Sequence, residues 1–327
     1  MNKKDIGLLT LIIVVGIIVS ILNPRFLLPI NISNTANLVG LFGISAMGQA
    51  IVILSGGIEL SVGSVVALIG VLFISFVASY GIPWPIALAM MLVLGVLIGL
   101  AHGLLITKLR LQPFIVTLCG LLIYRGIARF YTQDATAGFG FNQNFPALNW
   151  LTVGHSWGIP HAFIAMLIIG VIMWVVMHRS VFGRHLFAVG KNEDAALYSG
   201  IRTGWVIIWA YVICQILTAI SAVYFAMYTG SVTPASQGTF YELYAIAAAV
   251  LGGFSLRGGE GSIVGVILGV VLLQELQNLV NLLGIPSSLN FAVMGAVILI
   301  GITADRQWGA IRARLLRWRT GWSPAGK

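Results

Sequence analysis

Glu59 is the residue whose chemistry is most at odds with its surroundings. It sits in Ser55-Gly56-Gly57-Ile58-Glu59-Leu60-Ser61-Val62-Gly63-Ser64, between two apolar runs. A carboxylate there needs a partner, because charge in an apolar medium is costly. The glycines permit backbone conformations that a regular helix forbids. Two readings stay open: Gly56, Gly57, Glu59 and Ser61 form a gate or pathway element, or they form a tight turn capped by Ser61 and Glu59. A second break, from Gly252-Gly253 to Gly261-Ser262, echoes the first. Gly63-Ser64-Val65-Val66 matches Gly261-Ser262-Ile263-Val264, and paired Gly-interrupted segments can mark a pathway between repeats.

Amides supply the second constellation. Gln274, Glu275, Gln277, Asn278 and Asn281 fall close together, and Gln274, Asn278 and Asn281 share one helical face by i, i+4, i+7 spacing. Groups that both donate and accept suit hydroxyl-rich solutes. They also suit helix-to-helix hydrogen bonds worth about 0.6–2 kcal/mol each. Each one alone reads as structural glue, and the group reads as a pathway lining. Arg125, followed by Gly126, lies deep in an apolar run and is expected to pair with Glu242 or Glu275; Arg129, one turn later, reaches an interface. His102, beside Gly103, reads as a packed, hydrogen-bonded core residue. Cys119 and Cys214 read as small packing residues. No catalytic residue and no metal site is expected, since HExxH, GxSxG and Cys-x-x-Cys are all absent. Gly183…Gly190-Lys191-Asn192 has the wrong glycine spacing for a phosphate loop, and Asn192 replaces the Ser or Thr that would hold magnesium.

These residues must be carried by membrane helices. Of 327 residues 59% are hydrophobic and 8% charged, with a mean hydropathy of +1.00. A soluble domain has about 25% charged residues. A helix needs about 20 apolar residues to cross hydrocarbon, which predicts ten spans near 6–22, 38–54, 62–79, 85–106, 114–130, 162–177, 205–227, 241–251, 263–283 and 289–303. The eighth and tenth are short, and the eighth runs into Gly252-Gly253. With the N-terminus inside, 15 of the 18 Lys and Arg fall on the inner side, so both termini are expected in the cytoplasm. The net charge of +9 is then a topology signal and not a nucleic-acid surface. The run after Lys3 and Lys4 lacks a cleavage site and reads as a retained first helix. The chain is thus expected to be an all-α polytopic membrane protein, one transmembrane domain over 1–327. A long outer loop spans about 131–161 and a charged inner segment about 178–204.

Several further segments carry a resemblance. They are Asn23-Pro24-Arg25-Phe26, Gln112-Pro113-Phe114-Ile115-Val116-Thr117-Leu118 with Arg125-Gly126, Phe182-Gly183-Arg184, Val189-Gly190-Lys191-Asn192-Glu193, Ser199-Gly200-Ile201, Tyr241-Glu242-Leu243 and Asn281-Leu282-Leu283-Gly284-Ile285. In this order, with both glycine breaks, the chain resembles the sugar-type ABC importer permeases typified by the ribose permease, over nearly its whole length. The resemblance implies a bacterial inner-membrane subunit that pairs with a second permease copy or paralogue. It implies two cytoplasmic ATPase subunits that carry ATP and Mg, a periplasmic sugar-binding protein, and no cofactor on this chain. It also makes Asn192 to Ile201 the segment that seats on the ATPase, with Gly190, Asn192, Glu193, Ala195, Ala196, Ser199 and Gly200 as its key positions. There Ala195, Ala196 and Leu197 would offer a small apolar face.

Three positions depart from the family pattern: Glu59 where Asp is usual, Lys191 where Gly is common, and Tyr244 where Asp usually follows Glu-Leu. The expected solute is a monosaccharide or a similar small polyhydroxy compound. The rival reading is a proton- or sodium-coupled secondary transporter, with Glu275 as its coupling carboxylate. A membrane enzyme would require paired catalytic residues that the sequence lacks.

Overall fold

Prolines and short polar caps punctuate an otherwise apolar chain. In the computed structural model, which describes residues 3–140 and 145–286 with positions 289, 292, 295, 296 and 299, Pro29, Pro85, Pro113 and Pro146 each fall in the first turn of a helix. First-turn N–H groups have no intrahelical acceptor, so proline loses nothing there. Ser180, Asn192 and Ser262 start three more helices by accepting the N–H groups of Gly183, Ala195 and Gly265.

The helices are α1 (Lys3–Leu22), α2 (Pro29–Leu54), α3 (Val62–Ile74), α4 (Trp84–Thr107), α5 (Pro113–Thr132), α6 (Pro146–Val153), α7 (His161–Arg179), α8 (Val181–Lys191), α9 (Glu193–Tyr198), α10 (Thr203–Thr229), α11 (Tyr241–Leu251) and α12 (Ile263–Leu282). A π-helical turn, Ser75–Ser79, extends α3. Two short antiparallel ribbons complete the description. β1 (Ala137–Gly138) pairs with β4 (Ser231–Val232), Ala137 opposite Val232, and β2 (His155–Ser156) pairs with β3 (Ile159–Pro160).

Among the described residues, eight helices are long and apolar enough to cross a membrane: α1, α2, α3 with its π turn, α4, α5, α7, α10 and α12. The protein is nearly all-α and polytopic. Two expected spans need comment. The eighth coincides with α11, whose 11 residues rise only about 16 Å, half the hydrocarbon thickness of about 30 Å. The tenth, at 289–303, falls mostly outside the described residues. The second span is longer than its hydropathy predicts. It starts at Pro29, because the polar side chains of Asn31, Ser33, Asn34 and Thr35 interrupt the apolar run without interrupting the helix.

Close backbone contact holds the centre together. The span formed by α2 is 89% buried, against 17% for α1, and α10 is likewise enclosed. Gly95, Gly99 and Gly103 form a ladder along α4 against α10. A Cβ at Gly99 would stand 2.5 Å from the Cα of Val212, and one at Gly103 2.7 Å from the Cα of Ile208. Gly40 meets Ala162 of α7, and Gly48 meets Cys214 of α10. Lipid tails are as apolar as leucine, so helices associate through such packing and not through the hydrophobic effect. The ladder also gives a depth scale: Gly95 abuts Gln215, and both lie near the midpoints of their helices. We call the end of the bundle carrying Lys108, Lys191 and Arg257 the basic end. The opposite end carries the ribbons.

Gly99→Leu should wedge α4 from α10 and cost about 1–3 kcal/mol, read as a lower thermal unfolding midpoint of the detergent-solubilised protein. Gly7→Leu, where nothing lies within 4 Å of the added carbon, should leave the midpoint unchanged.

Candidate functional site

The two glycine breaks, far apart in sequence, meet at the basic end. The N–H of Gly259 donates to the carbonyl of Leu54 at 2.9 Å. A Cβ at Gly258 would stand 2.9 Å from the nitrogen of Gly56 and 2.8 Å from the carbonyl oxygen of Gly190. Gly190 itself packs against Leu54 and Gly259 so closely that no side chain fits. Three chain segments therefore touch backbone to backbone, and the Lys191 ammonium to Glu260 carboxylate pair at 2.9 Å closes the outside of the junction. Gly258 and Gly259, with φ of 83° and 72°, adopt a left-handed backbone that favours glycine.

From this junction the chain rises without regular secondary structure toward the middle of the bundle. Thr117 and Tyr211 both donate to the carbonyl of Ile58, at 3.2 and 3.3 Å. Glu59 is fully buried. Its Oε1 accepts the N–H of Ser61 at 2.7 Å and the Ser61 hydroxyl at 2.6 Å. Its Oε2 lies 2.8 Å from Nδ1 of His102, and Nε2 of His102 lies 3.0 Å from the Tyr124 hydroxyl. The imidazole thus bridges the Glu59 carboxyl and the Tyr124 hydroxyl through its two ring nitrogens. Gln215 donates to the Ser61 hydroxyl at 3.3 Å. Glu59 and Ser61 thus form a capped turn, and that turn sits at mid-bundle and starts α3 there. His102 is the packed, hydrogen-bonded residue its position suggested.

Arg125 does not pair as expected. Its Nη1 donates to the carbonyls of Pro234 and Gln237, at 2.8 and 2.6 Å, and no ion pair to Glu242 or Glu275 forms among the described residues. The physical reason is that the chain after α10 turns back into the bundle and brings unpaired carbonyls down to the guanidinium. The Glu242 carboxylate instead lies against Gly63 of α3. Arg129 pairs with Asp134 at 2.6 Å on the surface, as an interfacial arginine should.

The amides of α12 do not form one lining. Asn278 exchanges hydrogen bonds with Asn31, at 2.8 and 3.2 Å, and donates to Thr35 at 2.9 Å, which fastens α12 to α2. Gln274 is buried beside a cavity of about 10 Å³ with Phe42 and Tyr244, room for one water and not for a sugar. Glu275 faces Gly16 of α1, and Asn281 is exposed.

In the 178–204 segment, the Asn192 side chain caps α9 through the N–H of Ala195 at 2.9 Å. The N–H groups of Gly200 and Ile201 return to the carbonyls of Leu197 and Ala196, a glycine-terminated helix end. The expected apolar face is different in one respect: Ala196 points inward, buried, whereas Ala195, Leu197, Ser199, Gly200 and a 90% exposed Tyr198 face outward together with Glu193. Sequence reasoning did not find Thr117, Tyr124, Tyr211 or Gln215 as partners of the first break, nor Gly238, which abuts Gly63. The Pro234-to-Gly238 spacing just before Glu242 was the available signal.

His102→Ala should leave the Glu59 carboxylate buried with half its partners and cost about 3–5 kcal/mol. Thermal unfolding of His102→Ala, Glu59→Ala and the double variant should show the double losing about 1–3 kcal/mol less than the sum. Simple additivity would mean the pair is not coupled.

The family described as "Branched-chain amino acid transport system / permease component" matches residues 31–302. The ribose import permease protein RbsC of Bacillus subtilis (strain 168) is 41% identical over 90% of this chain and 90% of its own length. The RbsC of Escherichia coli (strain K12) is 37% identical over 94% of each. The autoinducer 2 import system permease protein LsrD of Klebsiella pneumoniae is 33% identical over 92% of each. No solved structure matches the chain. Such relatives, with eight long apolar helices, make this a multi-pass protein of the bacterial inner membrane and a transport permease component. The chain belongs to the sugar-type ABC importer permease family.

Proposed function

We propose that the chain is the pore subunit of an ATP-driven importer for a monosaccharide or similar small polyhydroxy solute. Ribose and autoinducer 2, named for its relatives, support the solute class. ATP and Mg bind to separate cytoplasmic ATPase subunits, a second permease copy or paralogue completes the pore, and a periplasmic binding protein delivers the solute. Both termini and the basic end face the cytoplasm, in keeping with the positive-inside distribution of Lys and Arg.

The observation that carries the mechanism is the Gly190 junction. α9 offers Leu197 and Tyr198 to a partner, and three residues before α9 starts, at Gly190, the chain is held backbone to backbone against both glycine breaks. Movement of the α8–α9 segment by an ATPase therefore reaches the starts of α3 and α12 together. Coupling requires the nucleotide states of the ATPase to favour different pore conformations. Glu275, the carboxylate of the rival ion-coupled reading, faces the peripheral helix α1 and has no place in this scheme.

In cells carrying the candidate partner genes, Leu197→Asp with Tyr198→Ala should reach the membrane, lose co-purification with the ATPase, and lose uptake at least about tenfold, the effect of removing an exposed anchor. Gly190→Val should keep the ATPase bound but lose uptake. Uptake that persists without any ATPase and collapses with the proton gradient would overturn the reading.

A further inference from the structure

After α10 ends at Gly230, the chain does not stay at the ribbon end. Val232 is buried against Gly70 of α3, and Gly238 lies against Gly63, seven residues lower on the same helix. The stretch therefore descends about 10 Å along α3. Gly63 marks the middle of the bundle, because Ser61 beside it is held by Gln215, which faces the midpoint of α4. Arg125, which bonds two carbonyls of this stretch, stands twelve residues into α5, about 18 Å from the basic end.

Residues 233–240 are thus irregular backbone at membrane depth, and they have two sides. Pro234 and Gly238 are buried against the protein, while Thr233, Ala235, Ser236, Thr239 and Phe240 are exposed. Lipid-facing irregular backbone does not occur in hydrocarbon; it survives only against protein or beside water. Thr233 bonds Thr136 and Thr239 donates to the Ser236 carbonyl, but a dry seam with another subunit would strand the Ser236 hydroxyl and the Gln237 amide, so water is the consistent neighbour.

Resting on the importer reading, we infer that residues 233–240 and Arg125 line the aqueous path of the solute at mid-membrane. The surface carries the chemistry that a polyhydroxy ring requires. Ser236, Thr239 and Gln237 donate and accept, Arg125 holds a positive charge at a partly buried position, and Phe240, 42% exposed, offers a flat apolar face to ring C–H groups. Phe240 has a φ of 65°, an uncommon conformation for a non-glycine residue.

The test uses the complete transporter, with its ATPase subunits, in proteoliposomes. Ser236→Cys and Thr239→Cys are each made with Cys119→Ser, since Cys214 is fully buried. They are exposed to a cationic, membrane-impermeant methanethiosulfonate, with Ile17→Cys on lipid-facing α1 as the control. Thiolates form in water and not in lipid, so both cysteines should react at least about tenfold faster than the control, in the ATP-free or the vanadate-trapped state, and reaction should abolish ribose uptake. Rates equal to the control in both states overturn the proposal, because the surface is then sealed by lipid or by a second copy. Reaction that leaves uptake intact overturns it as well, because the water is then off the path. Ser236→Ala, which removes a hydroxyl that bonds nothing within the described residues, gives an independent measurement: the ribose concentration for half-maximal uptake should rise about two- to tenfold, the effect of one lost hydrogen bond. An unchanged value counts against the proposal. Labelling does not depend on the energy source, so failure of the importer reading and failure of this inference are separable.

Discussion

Every backbone donor and acceptor placed at membrane depth must find its partner inside the protein or in enclosed water. This constraint governs the structure wherever a helix breaks. The break before α3 meets it with Thr117 and Tyr211 on the Ile58 carbonyl and Glu59 on the Ser61 N–H. The stretch before α11 meets it with Arg125 on the Pro234 and Gln237 carbonyls. The break before α12 meets it with the Leu54 carbonyl and the Ser262 hydroxyl. In each case at least one partner comes from a different helix, Thr117 and Tyr211, Arg125, and Leu54 in turn, so each break also ties the bundle together.

The second organising feature is close approach. Where glycine lies opposite backbone, as at Gly99, Gly190, Gly252 and Gly265, two segments touch without intervening side chains. Packing of this kind tolerates little adjustment, so the segments it joins move as units. α2, α3, α10, α11 and α12 are bound in this way, whereas α1 presents most of its surface outward. The contrast separates a mechanically linked core from a peripheral helix. In the proposed importer it is this linked core through which an exposed α9 would act on helix starts it never touches.

Much of this was legible in the sequence. Among the described residues, apolar length located the long helices within a few residues, apart from the polar beginning of α2. Proline and Ser or Asn positions matched the helix starts, and the Ser55–Ser64 and Gly252–Ser262 breaks lie where glycine interrupts the apolar runs. The spacing of Gly95, Gly99 and Gly103 was present as well, as a stripe four residues apart. The site was less legible. The shared face of Gln274, Asn278 and Asn281 suggested one lining, yet these residues meet a cavity, a neighbouring helix and the exterior in turn.

By itself the sequence determined the solvent, the helices, the breaks and the family, because hydropathy, capping and glycine act locally along the chain. Tertiary structure alone decided the partners. Arg125 found carbonyls and not a carboxylate, Ala196 turned inward while Tyr198 turned outward, and a loop that reads as external descended to Gly63. Each of these outcomes depends on which distant segment arrives beside a residue. In an apolar medium the strongest available hydrogen-bonding group there decides the pairing, and no local pattern records where that group will stand.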